Sequence, residues 1–163
     1  MDRVPAWPRL LGLAGILPQA AALAAVVLGP EYCQPTVLAT AAIYAGLIFT
    51  FLGGMWWGMA ASAPAAEGRG ALGWVWIAAV APSLLAFGAL GWLAHGAPGG
   101  GAQPLVPVLT MLGGGILLSP LVDTQLARDA NGGGLRIAPP WWLRLRWPLS
   151  ILLGGLTLAI ALG

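Results

Sequence analysis

Five long apolar stretches, parted by short polar breaks, limit what this chain can fold into. They run Leu10–Leu28, Thr36–Ala60, Ala71–Ala94, Pro104–Leu126 and Trp147–Gly163. An α-helix rises 1.5 Å per residue, so about 20 residues cross the roughly 30 Å hydrocarbon layer of a bilayer. The fifth stretch is barely long enough, and the second is long enough to tilt. The breaks, Gly29–Pro35, Ala61–Gly70, His95–Gln103 and Ala127–Arg146, are rich in glycine, proline and charge. Membrane-spanning barrel strands are about 10 residues long and alternate in polarity. These stretches are longer and do not alternate, which leaves helices as the spanning structure.

Composition agrees. Of 163 residues, 59% are hydrophobic and 7% charged, against roughly 25% charge in an ordinary soluble domain. A chain of this length has too little interior to hide so much apolar surface, so the rest must face lipid. The expected fold is therefore an all-α, polytopic integral membrane protein, one domain of five transmembrane helices.

The charges orient it. There are seven arginines and no lysine. Arg3 and Arg9 precede the first span, Arg69 lies in the second break, and Arg128, Arg136, Arg144 and Arg146 lie in the fourth. With five crossings, all seven share one face. Cytoplasmic loops hold the Lys/Arg excess, which predicts the N-terminus inside and the C-terminus outside. Eight of the nine tryptophans fall toward the same face: Trp7, Trp56, Trp57, Trp74, Trp76, Trp141, Trp142 and Trp147, with Trp92 alone opposite. Tryptophan favours the headgroup zone, where the ring is buried and the N–H stays wet. Arg3, Arg9 and Ala22-Leu23-Ala24 resemble a signal peptide with its cleavage site. The apolar run continues to Leu28 without a break, so the stretch reads as a retained span. Abundant Ala, Gly and Arg without lysine suggest a GC-rich bacterial genome.

Several function classes lose support. The net charge is +2, but arginines divided among three segments form no nucleic-acid stripe; they suit anionic lipid headgroups at the inner face instead. His95 and Cys33 fall in different outer breaks, while Glu67, Asp123 and Asp129 map inside. No catalytic, metal-binding or cofactor-binding constellation is expected. No ionisable residue lies near a span centre, where ion-coupled transporters usually place one. Gln19, Tyr44, Thr50, Ser83, Thr110 and Ser119 are weaker substitutes.

Three features remain as candidates. Gly54 and Gly58 in the second span have the spacing that lets helix backbones approach closely. That suits packing within the bundle first and a partner contact second. The fourth span carries Pro104, Pro107, Gly113-Gly114-Gly115 and Pro120. Such a run is expected to kink a helix against a close neighbour, or to interrupt it as in some transporters. In the fourth break, Trp141, Trp142, Arg144 and Arg146 are expected among headgroups, with Asp123 able to pair with one of these arginines and pin the loop. With Trp56 and Trp57 they make up the candidate lipid- or partner-facing set.

The same segments carry a family resemblance. Pro140-Trp141-Trp142-Leu143-Arg144-Leu145-Arg146-Trp147-Pro148-Leu149-Ser150 resembles the P-x-W-Y-x-x-L-R-x-P-L-T signature of a bacterial and mitochondrial membrane family. Phe51-Leu52-Gly53-Gly54-Met55-Trp56-Trp57-Gly58 is similar to its F-L-G-G-x-H-W-G motif. Val80-Ala81-Pro82-Ser83-Leu84-Leu85-Ala86-Phe87 is similar to V-x-P-S-L-L-A-W, and Pro8–Gly15 to its opening. The family is the domain of unknown function numbered 3429, which includes the mitochondrial transmembrane protein 69. The resemblance implies a multi-span inner-membrane protein and supplies no reaction. Trp56 stands where the family pattern has histidine, so any role of that histidine is absent here. The expected function is non-enzymatic: an accessory, structural or assembly subunit that meets other membrane proteins. A small-solute or ion transporter using the glycine run of the fourth span is the alternative.

Overall fold

A computed structural model describes residues 3–63, 73–95, 104–128 and 138–163. Among them all regular structure is helical: α1 (Ala6–Ala14), α2 (Leu17–Leu28), a 3-10 turn (Glu31–Cys33), α3 (Gln34–Ser62), α4 (Gly73–His95), α5 (Leu105–Ala127) and α6 (Trp142–Leu162). Five stretches are long and apolar enough to cross a membrane, α1 and α2 together forming one of 23 residues. Large apolar side chains such as Leu47, Phe51, Ile77, Phe87 and Leu118 lie exposed along them. That surface suits lipid rather than water. Arg69 and Arg136, the Glu67 and Asp129 carboxylates and the start of the third span at Ala71 lie outside the described residues.

The first span is two helices rather than one bent helix. Pro18 has no N–H to give the carbonyl of Ala14 and its ring crowds the preceding turn. The chain tightens instead, with the Ile16 N–H on the Leu13 carbonyl at 3.1 Å. The Tyr44 hydroxyl then donates to the Gly15 carbonyl at 2.6 Å, tying the break to α3.

Side-chain pairings set the helix directions. Gln19 meets Ala41, and Trp57 meets Trp76, so α3 runs antiparallel to α2 and α4. Asp123 meets Arg146 and Ser119 meets Ser150, so α5 and α6 are antiparallel. Trp56 meets Asp123 while Gly115 lies under the Phe49 ring, so α3 and α5 are parallel. The described arginines Arg3, Arg9, Arg128, Arg144 and Arg146 thereby gather at one end of the bundle. We refer to it as the arginine end.

The core lies among α3, α5 and α6, with α4 packed on α3 and α2 on α3 and α6. On α3 the buried positions Ala42, Gly46, Phe49, Gly53, Trp56 and Ala60 recur every three or four residues, making one continuous face. Close approach depends on glycine at two places. A Cβ on Gly53 would run into the Ala79 backbone oxygen of α4, and one on Gly154 would stand 2.9 Å from the Gly113 oxygen of α5.

Two expectations change here. Gly54 and Gly58 pack against nothing within 4 Å; one residue along the helix is 100° around it, so Gly53 makes the contact with α4 and its neighbour faces outward. And α5 runs through Gly113-Gly114-Gly115 without interruption. Gly113 packs on α6 and Gly115 on Phe49, while Gly114 meets open space. The glycine run serves helix packing, and the broken-helix premise of the transport alternative is not met.

Candidate functional site

The fifth span begins at Trp142, not Trp147, because Pro139 and Trp141 initiate a helix. The Trp142 N–H bonds the Pro139 carbonyl at 3.0 Å, and Trp141 occupies the cap. Trp142 and Arg146 are then four residues apart on one helical face. This face turns inward. Arg146 therefore does not reach lipid phosphate, contrary to expectation. Its guanidinium is 5.9 Å from the Trp142 ring centroid, and its side chain is only 7% exposed.

Its partner is Asp123, on α5, fully buried at 0% exposure. Arg146 Nε donates to Asp123 Oδ2 at 2.8 Å. The other carboxylate oxygen, Oδ1, accepts the indole N–H groups of Trp56 from α3 and Trp142 from α6, each at 2.9 Å. Three helices thus converge on one carboxylate with three donors. Trp56, Asp123 and Arg146, expected on a lipid- or partner-facing surface, are instead internal. The pairing of Asp123 with an arginine of the fourth break is as expected. Its location inside the bundle is not, because placing Arg146 in a loop hid the helical phase that turns it inward.

Proline shapes the next layer. Pro120 cannot donate to the Ile116 carbonyl, and the Ser119 hydroxyl does so instead at 2.7 Å. With its proton committed, Ser119 Oγ accepts from Arg146 Nη2 at 3.1 Å. The Ser150 hydroxyl, 3.1 Å from Ser119, is left to act as donor to it. The guanidinium is thereby shared between a carboxylate and a hydroxyl, an arrangement that holds its plane in one orientation.

A second polar cluster lies deeper along α6, toward the opposite end. Gln19 Nε2 donates to Thr157 Oγ1 at 2.8 Å and to the Ala41 carbonyl at 3.3 Å. The Thr157 hydroxyl in turn donates to the Leu153 carbonyl at 2.8 Å. Gln19 Oε1 is buried and accepts no hydrogen bond among the described residues. Between the clusters, Gly154 lies against Gly113 and Leu117, so backbone contact separates them. Ser150 and Thr157 escaped the sequence reading. The signal was present: Arg146, Ser150, Gly154 and Thr157 recur at helical spacing within α6.

The other sequence candidates stay at the surface. Trp57 is 50% exposed, its ring edge-on to Trp76 at 4.8 Å between centroids. Trp141 is part-exposed, tilted against Trp142 at 5.9 Å. Arg144 is exposed at the arginine end, as is Trp7 at 74%. Of the weaker polar candidates, Thr50 and Thr110 spend their hydroxyls on the carbonyls of Leu47 and Val106 in their own helices.

A chain whose described residues are helical throughout its regular structure, with five apolar stretches of crossing length and a buried ion pair between two of them, is a multi-pass membrane protein. It belongs to the family described as protein of unknown function (DUF3429), whose model matches residues 4–163. No curated protein and no solved structure matches the chain.

Proposed function

We propose that this chain is a non-catalytic, accessory subunit of a membrane protein complex, presenting its arginine end and the outer face of α3 to a partner. The observation that carries the reading is how the arginine end divides its residues. Asp123, Arg146, Trp56 and Ser119 are spent on one another inside the bundle. The adjoining surface keeps Trp7, Trp57, Trp74 and Trp147 exposed, with Arg9, Arg128 and Arg144 around them. Buried groups that satisfy each other make a scaffold. Tryptophan and arginine are the side chains most enriched where membrane or water-facing surfaces meet a partner. The positive-inside rule supports a cytoplasmic location for this end, in what we take to be a bacterial inner membrane, where exposed guanidinium groups also attract anionic headgroups.

The test is co-purification from the native membrane in mild detergent, comparing the native chain with Gly54→Leu/Gly58→Leu. Because a Cβ at either position meets nothing within 4 Å and both positions face outward, the double substitution is expected to leave the bundle intact. A stoichiometric partner that is retained at least 5-fold less by the variant is expected. A native chain that emerges as a monomer with no partner at stoichiometric yield sinks the reading.

A further inference from the structure

We propose that the Asp123–Arg146 pair commits the last two helices to the membrane as one unit, so that pairing, and not hydropathy alone, decides on which side the C-terminus ends. Three observations lead there. First, α6 is the least apolar of the five crossing stretches, with hydropathy 1.7 against 1.9–2.0 for the others. It also carries Arg144, Arg146 and Pro148 within its first two turns. Second, both charges are placed where neither helix supports them alone. Asp123 lies four residues from the C-terminal end of α5, toward the negative pole of that helix, and Arg146 lies four residues into α6, toward its positive pole. Each also lies more than 5 Å inside its helix end, given the 1.5 Å rise per residue. An unpaired charge turned onto the packing face there costs free energy, which snorkelling toward the interface relieves only in part. Third, the pair is made across the α5–α6 interface, and that interface is closed further along by Ser119–Ser150 and by Gly113 against Gly154. Among the described residues, the groups that meet Arg146 belong to α5 or to α6 itself, and the Trp56 indole reaches only the carboxylate.

The physical consequence is a conditional insertion. As a lone segment, α6 pays for desolvating a guanidinium that points into its own packing face. Inserted against α5, the same guanidinium meets a carboxylate and a hydroxyl already aimed at it. Removing Asp123 leaves the cation inside the first turns of α6 and favours the state in which this helix stays on the arginine side. Removing both charges abolishes the conflict, since a buried ion pair replaced by apolar side chains of similar volume is often neutral or better.

Cell-free synthesis of the full chain into sealed membrane vesicles tests this. The chain carries Cys33→Ser and one cysteine appended after Gly163, read with a membrane-impermeant maleimide before and after detergent. The native sequence defines the native side. Asp123→Leu is expected to raise the fraction with its C-terminus on the wrong side at least 3-fold, and Asp123→Leu/Arg146→Leu to return it to the native fraction. Because newly made chains are read in the absence of cellular proteolysis, loss of stability alone does not move the label. Asp123→Leu with the native distribution overturns the proposal, as does a double variant that stays as misplaced as the single one.

Discussion

The bundle contains two buried polar clusters, each built on α6, and they solve the same problem differently. At the arginine end, three donors from Trp56, Trp142 and Arg146 converge on the Asp123 carboxylate, joining α3, α5 and α6. Farther along, Gln19 and Thr157 join α2, α3 and α6 with neutral groups, and Gln19 Oε1 accepts no hydrogen bond among the described residues. The first cluster is charged and closed; the second is neutral and incomplete. In a low-dielectric interior a charge tolerates no such incompleteness, whereas a neutral amide oxygen costs far less when left alone. The charged cluster therefore specifies geometry strictly, while the neutral one adds an ordinary contact. The two glycine faces of α3 show a parallel contrast, with Gly53 buried against Ala79 and its neighbour Gly54 open.

The sharpest way to break the first comparison is Asp123→Leu. Leaving Arg146 buried without its carboxylate should cost about 3–5 kcal/mol, read by equilibrium unfolding in mixed micelles. Asp123→Leu/Arg146→Met should recover most of that loss. If the single variant falls by no more than Gln19→Leu does, the claimed difference between the clusters disappears.

Next in size is the glycine contrast. Gly53→Ala forces α3 from α4. Overpacking of about 1–3 kcal/mol, offset by ~1 kcal/mol of helix propensity, leaves a net loss of about 0–2 kcal/mol. At Gly54 the added Cβ meets nothing, so Gly54→Ala should leave the chain as stable as the native one or more stable by up to ~1 kcal/mol. Equal effects at the two positions would show that the α3–α4 contact is not where Gly53 puts it.

The smallest effect is expected at Gln19→Leu. It removes two donated hydrogen bonds and also the orphaned Oε1 oxygen, so the terms oppose each other. Hydrogen bonds between membrane helices average about 0.6 kcal/mol, and a net change of that order is expected by the same unfolding assay. A loss comparable to that of Asp123→Leu would mean that a further group engages Oε1 and that the second cluster is as closed as the first.

Much of the site was within reach of the sequence, yet it was misplaced. Asp123 stood out as the most deeply set charge, and its pairing with an arginine of the fourth break followed from charge alone. Which arginine, and on which side of the helix, did not follow. Trp142–Arg146 looked like an interfacial loop because a tryptophan- and arginine-rich segment has low hydropathy, and hydropathy averages over faces. Its helical phase puts Arg146 inward and Arg144 outward, two residues apart on one helix. Trp56 and Trp57 divide the same way: one indole is bonded to Asp123, the other is half exposed. The role of Ser119 depended on Pro120 freeing the Ile116 carbonyl, and that local signal was readable in advance.

By itself, the sequence determined that the spans are helical and that five apolar segments have crossing length, because burying a bilayer span of backbone leaves only the helix and its fixed rise per residue. It also determined that the described arginines share one end. Tertiary structure alone decided which face of each helix is internal. That choice rests on contacts between residues 67 positions apart, as for Trp56 and Asp123, or 138 apart, as for Gln19 and Thr157. In lipid, an apolar face and a packed face are written with the same residues, so only the mating surfaces can tell Gly53 from Gly54.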